Sequence, residues 1–470
     1  MIQQFRIWDN CQGQEFAKWH DESDAHLLFS DGNRQDLRVI ANTPVGELVK
    51  VHPELLVFPP DFKRNGDEID KLHILGLSID KATTGNLMGF IGVNNTQINI
   101  CSRFSKDDKN DYFLHYMLCK VFRINLFNLQ YDLTKDPVFD FLLYLFPHYL
   151  KKAMRQGLFK QYHNKRFNDA NVRGVINICR HIKENIPFKG TICYNTREHS
   201  YDNNITQLIR HTIEFIKQKP LGKAILQNDA DTKTCVSQIL LATPTYNLSS
   251  RQRVINSNIR PIKHPYFVDY TPLQRLCLQI LRHESIKYGN EKDKVYGILF
   301  DGAWLWEEFL ATFLKELGFS HPENKKHLGG FQMFDNSEND DSFSKNSRRL
   351  YPDFYRDKDN FILDAKYKHL NNGVGREDLY QVVTYMYCKE APYGGFVYPI
   401  EQKQTPTPYK LKGYGGKIIV FPFYVPQCPD QIYDLSKQKT NWDFNVFKEG
   451  MDNSQEKFKT YLSSTIEAKA

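Results

Sequence analysis

The chain has 470 residues, 41% of them hydrophobic and 25% charged, and its 62 Lys and Arg against 55 Asp and Glu leave a net charge of +7. That length holds two or three domains with separate cores, and a mean hydropathy of −0.54 is ordinary for a protein that works in water. The mild basic excess leans toward polyanions without establishing a nucleic-acid ligand. There is no charged start followed by an apolar run, so no signal peptide is expected, and the longest apolar runs are too short to cross a bilayer. Nine cysteines without a C-x-x-C pair point to free thiols in a reducing compartment, so a cytoplasmic protein is expected.

Residues 1–105 read as β-rich. Short apolar stretches at 37–40, 55–58 and 73–79 are separated by turn residues, and the segment 85–104 reads as a hairpin turning at Asn94-Asn95, with Ile98 and Ile100 alternating with Gln97 and Asn99. Several short strands in about a hundred residues suggest a small barrel or sandwich.

Residues 106–290 change to a helical period. Phe113, Met117, Leu118 and Val121 fall at helix spacing, as do Leu142, Leu143, Phe146 and Leu150, and amphipathic helices are expected at 205–216 and 273–286. Between them Lys151, Lys152, Arg155, Lys160, Lys165 and Arg166 interleave with Phe159 and Tyr162. Such a segment either contacts phosphate or is a solvated helix face with its two aromatics in the core.

Residues 291–470 read as mixed α/β. A strand at 295–300 leads through Asp301-Gly302 into a helix, the polar stretch 335–347 reads as a loop, and a helix at 376–389 precedes strands at 396–399 and 417–423. The expected fold is therefore multidomain, α+β and α/β: a small β-rich part, a helical middle, and an α/β core around a mixed central sheet.

Within that core 351–355 and 360–367 read as two strands joined by the polar turn Arg356-Asp357-Lys358-Asp359. Alternation puts Asp364 and Lys366 on one face and Ala365 on the other, and pairing brings Asp353 close to Asp364. Two carboxylates and an ammonium at one point suit Mg2+ or Mn2+ and phosphodiester chemistry; the plainer reading is a solvated hairpin with a surface ion pair. Competing motifs are missing: no G-x-x-x-x-G-K-[ST], no H-E-x-x-H and no G-x-S-x-G. Gly413 to Lys417 reads as a loop, and His321 and His327 as surface residues.

The order of these features resembles the McrC subunit of McrBC-type 5-methylcytosine restriction systems, in the PD-(D/E)xK nuclease superfamily. The resemblance is carried by Ser102-Arg103-Phe104 and YFLHYMLCKVF, by GLFKQYHNKRF and RGVINICRHI, by LFDGAWLWEEFL at 299–310, and by YPDFY, LDAKYK and DLYQVVTYM. It implies that Asp353, Asp364 and Lys366 form the nuclease motif, with Glu307 as the acid of the preceding helix; its neighbour Glu308 is able to take the same role. It implies metal at Asp353, Asp364 and Glu307, and a polar residue, Gln381, on the following helix. Lys368, Arg348 and Arg349 are candidates for DNA phosphate, with a solvated surface as the plainer reading.

By the same resemblance the partner is an AAA+ GTPase of McrB type, engaged through the β-rich N-terminal part, and double-stranded DNA is cut only inside that complex. Two other readings stay open: a nuclease-silent activator of the GTPase, and a stand-alone DNA-repair nuclease. The enlarged middle leaves the target modification open.

Overall fold

The computed structural model describes residues 3–11, 31–52, 55–59, 69–77, 82–94, 96–105, 111–122, 137–219, 222–227, 229–288, 295–322, 329–334, 349–370, 373–413, 415–428 and 442–467. The expected loop at 335–347, Arg348 and His327 lie outside them. The expected division of the chain is 1–105, 106–290 and 291–470; the structure forms two compact units, Met1–Arg123 with Asn290–Ala470, and Ile124–Gly289.

The first unit begins with β1 (Gln3–Trp8), α1 (Asp31–Arg38), α2 (Val45–Val51), β2 (Leu55–Phe58), β3 (Leu75–Leu77), β4 (Ala82–Thr84), β5 (Leu87–Val93), β6 (Thr96–Cys101) and α3 (Tyr112–Phe122). The expected hairpin is β5–β6, and Asn94 makes its turn at φ 50°, a left-handed conformation that Asn tolerates. The stretch 37–40, expected as a strand, is instead the end of α1 and the turn after it. Leu37 and Ile40 are one helical turn apart and both are buried, whereas Arg38 between them is exposed.

The second unit runs α4 (Pro137–Met154), β7 (Gln161–Asp169), β8 (Val175–Ile176), α5 (Ile178–Glu184), β9 (Ile192–Ser200), α6 (Asn204–Lys217), α7 (Gly222–Leu226), α8 (Ala230–Ala242), α9 (Arg251–Ser257) and α10 (Tyr270–Tyr288). Helices form its core as expected: Leu142, Leu143, Phe146 and Leu150 of α4 are buried with Leu273, Leu276 and Ile280 of α10. A capping box between Asn203 and Thr206 starts α6. The antiparallel sheet β7-β9-β8 is the departure from an all-helical middle. β7 and β9 are polar along most of their length and β8 is only two residues, so no apolar period of two marks them in the sequence.

The chain returns to the first unit with β10 (Val295–Asp301), α11 (Gly302–Leu314), β11 (Phe331–Gln332), β12 (Arg349–Leu350), β13 (Phe354–Arg356), β14 (Phe361–Ala365), α12 (Arg376–Cys388), β15 (Tyr393–Ile400), β16 (Thr407–Lys410), β17 (Lys417–Tyr424) and α13 (Phe444–Glu467). β10 does not open a separate domain. It enters the N-terminal sheet between β5 and β2, giving the order β1-β6-β5-β10-β2, an open mixed sheet rather than a barrel or sandwich. Val295 and Leu299 thereby join one core with Phe5, Val57, Ile91 and Ile98.

The second sheet has the order β13-β14-β15-β17-β16, with β14, β15 and β17 parallel and antiparallel strands at both edges. α12 connects β14 to β15 and packs Val382, Tyr385 and Met386 against Ile362, Phe396 and Ile418. α13, unmarked in the sequence reading, buries Phe447, Met451, Phe458 and Leu462 at helical spacing.

Asp301 caps α11 by accepting from the Trp304 backbone N–H at 2.7 Å. A Cβ on Gly302 would lie 2.7 Å from the Tyr367 ring. Gly302→Ala is expected to cost about 1–3 kcal/mol of stability through overpacking, read by chemical denaturation.

Candidate active site

The β13–β14 hairpin pairs Phe354 with Leu363, Tyr355 with Ile362 and Arg356 with Phe361. Continuing that register sets Asp353 opposite Asp364. The ladder is extended there by a side chain, because Asp353 Oδ2 accepts from the Ala365 backbone N–H at 2.8 Å. On the other side the Lys366 backbone N–H donates to Val397 at 2.8 Å, so the end of β14 is held from both neighbours.

Asp364 is the one charged residue in β14, and all five residues of that strand are buried. Its Oδ2 lies 2.6 Å from Lys366 Nζ. Burial first, and then the negative charge of Asp353, push its carboxyl up to about 8, against the opposing pull of the Lys366 ammonium. Burial by itself would lower the Lys366 pKa; the charges of Asp364 and Asp353 outweigh it, and the ammonium is held above its usual range.

Lys366 is fixed by more than Asp364. Its Nζ lies 3.4 Å from Asp378 Oδ1 and donates to Gln381 Oε1 at 3.5 Å. Gln381 Nε2 in turn donates to the Tyr385 hydroxyl at 2.8 Å, and that hydroxyl donates to the Tyr351 carbonyl at 3.3 Å. One face of α12 therefore ties the hairpin and the lysine together, as the i, i+3 and i, i+4 spacing of Asp378, Gln381 and Tyr385 allows.

Asp378 is the residue of this cluster that the sequence reading left without a role. Burial raises its carboxyl, but the bonds from Lys368 and Lys366 win and hold it below the usual range. Lys368, a candidate for DNA phosphate, makes that contact at 2.5 Å. Arg349 is exposed on the short β11–β12 pair.

His321 is not a plain surface residue. Its Nδ1–H donates to the Asp353 carbonyl at 2.7 Å, its ring stacks on Phe354 at 4.7 Å, and its Nε2 lies 4.0 Å from Glu308 Oε1. Of the two acids on α11, Glu308 turns toward this histidine, and Glu307 is half-buried one position earlier. No sequence spacing announces the histidine, because residues 321 and 353 meet only through the fold.

Tyr367 was also missed. It is buried directly after Lys366, with its hydroxyl 2.7 Å from Ser102 Oγ and its ring 4.9 Å from the Arg103 guanidinium. The Ser102-Arg103-Phe104 sequence thus meets the end of β14 in space.

Among the described residues no group of three His, Cys, Asp or Glu side chains is poised around a metal position. The donors present are hard carboxylate oxygens, Asp353 and Asp364. Asp364 Oδ2 is buried and receives no well-angled hydrogen bond, only the lysine charge. That pair fits an ion such as Mg2+, which keeps several waters and takes one or two protein carboxylates, and does not fit a four-ligand zinc site.

The family model described as McrBC 5-methylcytosine restriction system component matches residues 82–399. The chain belongs to the McrBC family. The McrBC-matched stretch contains Asp353, Asp364, Lys366 and Gln381, together with the whole second unit. No curated protein matches the chain. Among solved structures, a half-complex of Thermococcus gammatolerans McrB AAA+ hexamers with bound McrC is similar at 14% identity, over 96% of this chain and 99% of that one, with a TM-score of 0.49. The Thermococcus gammatolerans McrBC complex is similar at 15% identity over 67% and 87%, with a TM-score of 0.32. No helix among the described residues of this McrBC family member is long and apolar enough to cross a membrane.

Proposed function

We propose that this McrBC family member is the McrC-type subunit: a Mg2+-dependent endonuclease with a restriction-endonuclease-like core. It hydrolyses phosphodiester bonds of double-stranded DNA while bound to an AAA+ GTPase of McrB type, whose turnover it stimulates in the cytoplasm. The observation that most supports this reading is the meeting of Asp353, Asp364 and Lys366 at one end of β14, with Gln381 holding the lysine.

Asp353 and Asp364 would hold the ion, with Glu307 as the further acid, since Glu308 turns toward His321. When bound, a divalent ion neutralises charge on the phosphodiester and makes a water acidic enough to attack. The residues do the rest. Lys366 stays charged through the reaction and stabilises the charge that develops on phosphate oxygens. Gln381 and Asp378 limit where its ammonium points. His321 fixes the backbone at Asp353.

The test is Mg2+-dependent cutting of duplex DNA by the chain reconstituted with such a GTPase. A complex that stimulates GTP hydrolysis and leaves DNA intact would return the nuclease-silent activator. Cutting that needs no partner would return the stand-alone nuclease.

A further inference from the structure

The two units differ sharply in charge. Residues 124–289 hold 24 Lys and Arg against 12 Asp and Glu, a net +12, which leaves the first unit 38 against 43, a net −5. One segment of that acidic unit runs against the trend: 402–417 holds Lys403, Lys410, Lys412 and Lys417 and no Asp or Glu. It includes β16, whose four residues are all exposed at the edge of the second sheet.

The ladder of that sheet sets Asp364 beside Phe396, Phe396 beside Val420 and Val420 beside Thr407. These four form one row across the sheet and point to one face. α12 packs over Ile362, Phe396 and Ile418 of that face. Beside the helix, over β17 and β16, lies a groove of about 550 Å3. Val420 and Thr407 line it, Tyr398 and Pro422 pair with each other one pleat further along, and Tyr409 stands on its outer wall. Leu379, the residue after Asp378, closes it on the α12 side. With strands about 4.8 Å apart, two spacings put the groove roughly 10 Å from Asp364.

None of the residues lining the groove is charged, so it does not suit a phosphate or a carboxylate. Its walls are two tyrosine rings, a proline and aliphatic side chains, and Gln404, Thr405 and Thr407 supply hydrogen-bond donors and acceptors. A flat neutral ring with polar edges fits such walls. Tyr409 is 58% exposed, so its ring is open to stacking. Lys403 stands 5.3 Å over the ring of Tyr424, two residues beyond Pro422 on the same face, and puts a cation beside the groove.

We propose that this groove receives an unstacked base of the DNA strand that is cut, stacked on Tyr409, with the backbone of that strand passing along the basic edge of the sheet. This rests on the phosphodiester reading of Asp353, Asp364 and Lys366, and adds to it that the duplex opens locally beside the cut. An apolar protein segment is the other occupant that an uncharged groove meets. The base is favoured because the groove shares a face and a row with Asp364, and because its outer wall is basic in a unit that is otherwise acidic.

The full chain is mixed in EDTA with a short DNA duplex in which 5-iodouracil replaces thymine on both strands, and is irradiated. Crosslinked peptides are mapped by mass spectrometry. Iodouracil couples to an aromatic ring stacked on it, so crosslinks at Tyr409 or Tyr398 are expected. Tyr409→Ala should bind the duplex about tenfold more weakly, the effect of losing one stacked base, and Tyr409→Phe, which keeps the ring, should recover most of that loss. The slope of log affinity on log salt should be the same in all three chains, because no phosphate contact is removed. The proposal is overturned if neither tyrosine crosslinks, or if Tyr409→Ala, folded by circular dichroism, binds the duplex as wild type does. A Tyr409→Ala chain that keeps duplex affinity and loses association with the partner GTPase overturns it too, and gives the groove to a protein segment. No bond is cut in EDTA, so these outcomes are separate from cutting, which Asp364→Asn in the reconstituted complex with Mg2+ reads.

Discussion

Asp364→Asn is expected to lower DNA cleavage by the reconstituted complex by about a thousandfold or more, with stimulation of GTP turnover unchanged. The amide keeps the size of the side chain and its place in β14 but removes the charge that would hold a divalent ion. Stability separates this outcome from simple unfolding. The Asp364 carboxyl is raised in the folded chain to about 8, well above the usual carboxylate range, chiefly by burial and by Asp353. Folding therefore favours the protonated acid, and this group's contribution is fully present below the unfolded value and lost as pH rises toward 8. Without metal, the Asn variant should melt no lower than wild type at pH 8, and its advantage should shrink as pH falls toward 4. Magnesium should raise the melting temperature of wild type and not that of the variant. A folded Asp364→Asn complex that still cuts DNA would remove Asp364 from the reaction.

Arg103→Met is expected to cost about 3–5 kcal/mol of stability at neutral pH, because it strands a buried carboxylate. Asp9 is 1% exposed and receives the Arg103 side chain through Nε at 2.8 Å, with the Arg103 backbone N–H adding 2.6 Å. Burial raises the Asp9 carboxyl despite the opposing pull of Arg103. Removing the cation leaves burial opposed only by the Arg103 backbone N–H and His369, so the loss should be largest at high pH and shrink in acid, where a protonated Asp9 needs no cation. Adding Asp9→Asn to Arg103→Met should recover part of the stability, since an intact neutral pair avoids the unpaired charge. Denaturant titrations of the four chains in this double-mutant cycle measure the coupling. A cycle with no coupling would mean that the ion pair does not hold this part of the sheet.

The hairpin of the candidate site was legible because it is local. Residues 351–367 carry their own turn, their own alternation and the Asp-x-Lys order, and β13 and β14 pair in the register those signals predict. The strands at Tyr393–Ile400 and Lys417–Tyr424 were legible for the same reason, as apolar runs between turns. The ribbon of the second unit was not, because its strands are polar and its pairing joins residues as far apart as Gln161 and Ser200. The C-terminal helix carries an apolar stripe at helical spacing, Phe447, Met451, Phe458 and Leu462.

What the sequence by itself determined is the chemistry: which carboxylates and which lysine sit within a few residues of each other, and the order of motifs that marks the McrBC family. Only the tertiary structure decided which groups surround them. β10 crosses from the C-terminal half into the N-terminal sheet, His321 reaches Asp353 across 32 residues, and Ser102 meets Tyr367 across 265. Contacts of that range are set by burial of apolar faces that many chain segments share, and no short stretch of sequence encodes which face meets which. The uneven charge was present in the sequence all along. It took the division of the fold into two units to show that +12 and −5 belong to different bodies.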